Sequence, residues 1–324
     1  MDSESRRFVG LDVGGTTMKA GVVDDAGQLK SHATMPTQTD RGQEAGLQTM
    51  AECIRRAVAA ASLNIEDVTA IGVAVPGSLD LVDGVILDPP NLKPWRNVPV
   101  KQFITDTFAR PVAFQNDANA AVFGEFWVGI GREYRSLVLF TLGTGIGGGI
   151  VLDGKILEGA HSHGGELGQT KIEATNGRLC GCGQRGCLEA YASATAVVKR
   201  TEEELAQSDE DSSLRRTLKE KGLLTAKDIF LAARHDPLAI RIVDRTAFYL
   251  GVACANVMHT INPELICFAG GMTGAGPPFL DAIRGYARSL AFARPAERTI
   301  IEYSALGSDA GVIGAAGCAR MLIG

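Results

Sequence analysis

The sequence predicts an α/β protein of two similar halves. Short apolar runs and amphipathic helical patterns alternate from end to end, as they do where helices cover a sheet. A strand, a glycine–threonine turn and a second strand occur twice, about 130 residues apart, at Phe8–Val23 and at Leu137–Leu152. The chain has 324 residues, 45% of them hydrophobic and 21% charged, so it can bury the core of about two domains.

The first unit comprises Phe8 to Val13, the turn Gly14-Gly15-Thr16-Thr17, Lys19, and Ala20 to Val23. Paired glycines let the backbone bend and approach a ligand closely, and hydroxyls with a lysine suit phosphate oxygens. Asp12 beside such a cradle would repel phosphate unless a cation lay between them, which points to Mg²⁺. Asp25-Ala26-Gly27-Gln28 reads as a turn. Leu47, Met50, Ile54, Ala57, Val58 and Ala61 recur at helical spacing. Ile71 to Val75 is a buried strand stopped by Pro76-Gly77, and Pro89 to Trp95 is a proline-rich loop containing Asn91. Pro111 to Phe114 is a short strand. Asn116-Asp117 follows it, ahead of a helix from Ala118 to Trp127.

In the second unit, Gly143-Thr144-Gly145-Ile146-Gly147-Gly148 fits G-x-G-x-x-G. A dinucleotide fold needs a helix next, whereas Ile150-Val151-Leu152 continues as a strand, so this is a second phosphate cradle. Glu202–Glu220 is charged and is expected to be an exposed helix or a mobile segment. Thr225 to Asp228 forms a capping box, and Asp236-Pro237 starts a helix that runs, buried, through Tyr249, Cys254 and Val257. Leu265 to Ala269 is a strand ending in Gly270-Gly271. Thr299 to Tyr303 is another strand, and a last helix starts near Asp309.

Net charge is −5, so no basic face advertises nucleic-acid binding. No apolar run reaches the roughly 20 residues of a membrane span, and the polar opening Met1–Arg7 does not read as a signal peptide, so a cytoplasmic protein is expected. Cys53, Cys254, Cys267 and Cys318 lie singly in apolar segments, as buried thiols do. Cys180, Cys182 and Cys187 cluster among glycines, which in a reducing compartment points to a metal such as Zn²⁺, with His161 or His163 in reach of a fourth position. Asp117 caps its helix and can also serve as a general base for a hydroxyl. Glu166 and Glu189, each set among small or apolar residues, are candidates to hold sugar hydroxyls.

Taken together, Asp12-Val13-Gly14-Gly15-Thr16, Val75-Pro76-Gly77, Asn91-Leu92, Asn116 to Ala120, Leu142 to Gly149, Gly165-Glu166-Leu167-Gly168 and the three-cysteine loop resemble the ROK family of sugar kinases, its glucokinase-like members in particular. The resemblance implies a two-lobed actin-like ATPase (ribonuclease H-like) fold with a ligand cleft. Residues 1–118, completed by a C-terminal helix over about 306–324, would form the small lobe. Residues 119–305 would form the large lobe, with the cysteine loop and a dimer surface. It implies ATP held by Asp12, Gly14, Gly15, Thr16, Thr17 and Lys19, by Gly143, Thr144, Gly145, Gly147 and Gly148, and by Gly270 and Gly271. Sugar contacts fall on Gly77, Asn91, Asn116, Asp117, Glu166, Gln169 and Glu189, with Asp117 as base. Cys180, Cys182 and Cys187 match the family's structural zinc ligands. Gln169 stands where the family has a zinc-ligating His beside the sugar, and an amide oxygen is a poorer Zn²⁺ ligand than imidazole. The fourth ligand is therefore expected to be Gln169, water or His163.

The implied reaction is ATP-dependent phosphorylation of a hexose 6-hydroxyl, with Mg²⁺ and in a homodimer or tetramer. Glucose is the leading substrate, and N-acetylmannosamine, N-acetylglucosamine, mannose and fructose are alternatives. A sugar-responsive repressor is the rival of another class. About a dozen residues before Asp12 are too few for its DNA-binding domain. A sugar-binding protein without turnover is a further rival, opposed by the intact acids and glycine turns.

Overall fold

A computed structural model describes residues 6–324, so the polar opening residues 1–5 lie outside it. In chain order the strands are β1 (Arg7–Val13), β2 (Thr17–Asp24), β3 (Ala33–Pro36), β4 (Ala70–Val75), β5 (Leu79–Asp80), β6 (Val85–Ile86), β7 (Val112–Asn116), β8 (Ser136–Leu142), β9 (Ile146–Leu152), β10 (Lys155–Ile156), β11 (Leu265–Ala269) and β12 (Ile300–Tyr303). The helices are α1 (Gln43–Ala60), α2 (Val100–Phe108), α3 (Asp117–Trp127), α4 (Glu189–Ala192), α5 (Ala194–Gln207) and α6 (Ser213–Lys221). They continue with α7 (Ala226–Ala232), α8 (Pro237–Thr260), α9 (Pro277–Leu290), α10 (Ala293–Arg298) and α11 (Ala310–Ile323).

The first sheet has the order β3-β2-β1-β4-β7 and the second the order β10-β9-β8-β11-β12. The order is the same in both: a central strand, two antiparallel additions on one side and two parallel strands on the other. In the first sheet β1 pairs antiparallel with β2 and parallel with β4. In the second, β8 pairs parallel with β11, and β11 with β12. The two strand–turn–strand units of the sequence thus open two topologically equivalent sheets.

Two compact units emerge. One contains residues up to Arg135, Gly149–Gly165 and Ala305–Gly324; the other contains Ser136–Gly148 and Glu166–Ser304. The lobes expected from the resemblance, divided at 118/119, differ in cutting α3 and in leaving 149–165 with the second lobe. Both divisions return the C-terminal helix to the first unit.

In the first unit, α1 covers one sheet face. Its Leu47, Met50, Ile54, Ala57 and Val58 are buried in a core with Val9, Leu11, Ile71 and Trp95. The opposite side carries α3 and α11. They come so close that a Cβ at Gly124 would sit 2.7 Å from the Ala310 carbonyl, and one at Gly10 would strike the Val312 backbone. Glycine is needed at these crossings because the contacts are with backbone, which cannot yield.

In the second unit, α8 packs along α9. It buries one face only: Thr246, Leu250 and Cys254 are buried, while Arg241, Asp244 and Arg245 are exposed. The expectation of a buried helix is corrected to an amphipathic one. The capping box at Thr225–Asp228 and the Asp236 cap are both present. The charged stretch 202–220 resolves into the end of α5 and α6, the latter capped by Ser212. No helix among the described residues is long and apolar enough to cross a membrane.

Candidate active site

In the first unit, β7 runs two residues further than its apolar composition predicts. Val75 of β4 still pairs with Asn116. Asp117 is therefore the first residue of α3. The Asn116 side chain caps that helix, accepting from Ala118 N at 2.9 Å and Asn119 N at 3.3 Å. With the cap supplied by Asn116, the Asp117 carboxylate accepts the neighbouring Ala118 N–H, at 2.8 Å. Burial pushes the Asp117 carboxyl above its usual range, opposed by that N–H. A raised carboxylate is a better proton acceptor, as a general base requires.

Asp12 lies near the end of β1, beside the first turn of α11, where a Cβ on Gly311 would come 2.5 Å from Oδ2. Its carboxyl is pushed up to about 6, first by burial and then by the charge of Asp117, with Lys19 opposing. Two buried carboxylates close enough for one to raise the other are oxygen donors of the kind a divalent cation would neutralise. The turn itself is stiff. Gly14 N donates to Thr17 O at 2.9 Å, and Thr37 Oγ1 donates to Gly14 O at 2.6 Å. Gly15, Thr16 and Thr17 are exposed. Asn91 lies against this turn, its carbonyl 2.8 Å from where a Gly15 Cβ would be. Lys19 Nζ is 3.3 Å from Ser308 O. Gly77 has φ +96°, a conformation that favours glycine.

In the second unit, the turn Gly143-Thr144-Gly145 closes on itself through Gly143 N to Gly145 O, 3.0 Å. Gly147 N donates to Thr141 Oγ1 at 3.1 Å. Gly143 and Thr144 line a cavity of about 980 Å³ together with Gly271, Met272, Phe230 and Pro277. That volume and its mainly apolar walls suit a nucleoside-sized ligand. Gly270, φ +96°, turns the chain from β11 into this wall. Phe230, Met272 and Pro277 carry no motif, and sequence reading missed them.

Glu166 is exposed, at the start of a turn through Leu167–Gln169, rather than buried as expected. Gln169 Oε1 is a buried acceptor without a hydrogen-bond partner among the described residues. Glu189 is the first residue of α4. Its Oε2 accepts Ile146 N at 2.9 Å, and its Oε1 lies 3.4 Å from Cys180 Sγ.

The three clustered cysteine sulfurs lie within 4.8 Å of one another. Cys182 and Cys187 Sγ are 3.7 Å apart. Two thiolates each about 2.3 Å from a tetrahedral Zn²⁺ would be about 3.8 Å apart, so the set fits such an ion. The orphaned Gln169 acceptor also accords with a cation in this part of the unit. Burial pushes the Cys180 thiol up to about 12, a cost that a bound cation would remove. Lys171 Nζ stands 2.8 Å from Cys187 Sγ, a contact the spacing of the cysteines did not reveal. Among the described residues no histidine joins the group. His163 Nε2 lies 3.4 Å from Ser78 Oγ, and His163 is not among the residues grouped with the cysteines as expected. Cys53, Cys254, Cys267 and Cys318 are buried, as expected.

Known proteins match this geometry over nearly the whole chain. The glucokinase of Halalkalibacterium halodurans is 37% identical over 310 residues, 95% of this chain and 93% of that protein. The ROK hexokinase of Thermus thermophilus superposes with a TM-score of 0.84 at 33% identity, covering 98% of this chain and 99% of that one. A ROK family glucokinase from Streptomyces griseus, solved with glucose and AMPPNP, gives 0.80 at 32% identity, covering 97% and 99%. The solved kinases share the two-lobed actin-like ATPase fold, in keeping with the paired sheets. With the ROK family pattern matched across residues 8–321, the chain belongs to the ROK family.

Proposed function

We propose that this protein transfers the γ-phosphoryl group of ATP to the 6-hydroxyl of a hexose, glucose foremost. The observation that carries the reading is the pair Asp12 and Asp117. One acid stands at a phosphate turn, and the other starts a helix with its charged form destabilised by burial. The similarity to glucokinases, one of them solved with glucose and an ATP analogue, agrees with this chemistry.

Asp117 accepts the proton of the attacking hydroxyl. Asp12 holds Mg²⁺, which neutralises phosphate charge when bound. Thr16, Thr17, Lys19 and the Gly143–Gly148 turn hold the phosphates, and the cavity beside Gly271 takes the nucleoside. Gly77, Asn91, Asn116, Glu166, Gln169 and Glu189 hold the sugar. Such catalysis is mostly positioning and electrostatics. Cys180, Cys182 and Cys187 hold a structural Zn²⁺, with Gln169 or water as fourth ligand. A cytoplasmic homodimer or tetramer completes the reading.

Coupled detection of ADP across glucose, mannose, fructose, N-acetylglucosamine and N-acetylmannosamine tests the reading. Turnover with glucose above the others is expected. No turnover with any sugar overturns it.

A further inference from the structure

We propose that Glu189 is a positioning residue for the nucleotide turn as well as a sugar contact. This rests on the reading of Gly143–Gly148 as the phosphate turn. The carboxylate spans two elements. Oε2 accepts the Ile146 backbone N–H at 2.9 Å, while Oε1 lies 3.4 Å from Cys180 Sγ in the cysteine loop. The fit is tight: a Cβ on Gly145 would collide with Glu189 Oε2 and displace the carboxylate.

The helices that follow the cysteine loop hold the same turn at two more points. Ala194 N donates to Gly143 O at 2.9 Å, and Thr195 Oγ1 donates to Thr144 O at 2.8 Å. The turn's backbone is thereby fixed before a nucleotide arrives. Fixing dipoles in advance is what makes a backbone cradle effective. Of the three ties, only the one through Glu189 also reaches the cysteine loop, so a single side chain relates the metal loop, the sugar contact and the phosphate turn.

Calorimetric binding of Mg-ADP without sugar separates this role from sugar contact. Glu189→Ala loses the tie to Ile146 N and is expected to bind ADP about tenfold more weakly. Glu189→Gln keeps an acceptor for that N–H. It should bind ADP within about twofold of wild type while its hexose KM rises, a split that general misfolding does not produce. Gly145→Ala should weaken ADP binding on its own, because its methyl displaces the carboxylate. In Glu189→Ala the same change should cost nothing further, giving a non-additive cycle. Should Glu189→Ala fail to fold, Gly145→Ala decides: ADP affinity equal to wild type there overturns the inference. Equal ADP affinity in wild type, Glu189→Ala and Gly145→Ala, or strictly additive losses, overturns the inference alone. Wild-type protein that binds no ADP overturns the nucleotide reading and this inference with it.

Discussion

Asp12→Asn should stabilise the ligand-free protein while abolishing its activity. The Asp12 carboxyl is raised from 3.8 to about 6. About two pKa units correspond to about 3 kcal/mol. The folded state binds this proton more tightly than the unfolded chain. Stability is therefore lost as pH rises from about 4 to about 6, and the full penalty is present at pH 7. An opposing effect must be subtracted. Asp12 sits beside the first turn of α11, whose N-terminal dipole favours a negative charge by up to about 1 kcal/mol. The net gain from the neutral, near-isosteric asparagine is about 2 kcal/mol at pH 7. For a unit of this size that raises the melting temperature by roughly 4–8 °C. Calorimetric melts of both proteins with chelator, at pH 7 and pH 4, measure it. The difference should be present at pH 7 and close to zero at pH 4, where wild-type Asp12 is also neutral. Mg-ADP should then stabilise the wild type more than the variant. A variant that melts no higher than wild type at pH 7, or a difference as large at pH 4, would show that Asp12 is not held at a cost.

Asp117→Asn should lower kcat by about 10²–10⁴ with hexose binding retained, measured by single-turnover kinetics and calorimetry; near-normal kcat removes Asp117 from the role of base. The base works unprotonated and its pKa is raised, so kcat/KM should fall on the acid side at a higher pH than an ordinary carboxylate would give. Asp12, titrating at about 6, deepens the same limb. Protein purified without a metal-affinity tag should contain about one zinc per chain, and Cys187→Ser should lose it. Gln169→His should slow the release of zinc to a chromophoric chelator, since imidazole binds it better than an amide oxygen. A metal-free wild type refutes the assignment.

Local features of the chain were legible wherever one short stretch carried the whole physical cause. Glycine turns between apolar runs specify hairpins, whatever surrounds them. Thr225–Asp228 and Asp236-Pro237 start helices because capping is completed within three residues. Cys180, Cys182 and Cys187 are brought together by eight residues of glycine-rich loop. The end of β7 was misjudged because Gln115 and Asn116 are polar. What keeps them extended is pairing with β4, which no local propensity encodes.

The decisive relations of the site join residues far apart in sequence. The charge of Asp117 raises the Asp12 carboxyl because the order β1-β4-β7 sets the ends of β1 and β7 one strand apart. Glu189 reaches Ile146, 43 residues away, and Lys171 meets Cys187 across an isolated bridge. His163, close in sequence to Glu166, goes with the other unit. Composition and spacing thus determine which chemical groups the chain carries and the turns on which they sit. Which groups share a charge, a hydrogen bond or a metal follows from long-range strand pairing and helix packing, and those exist only once the whole chain has folded.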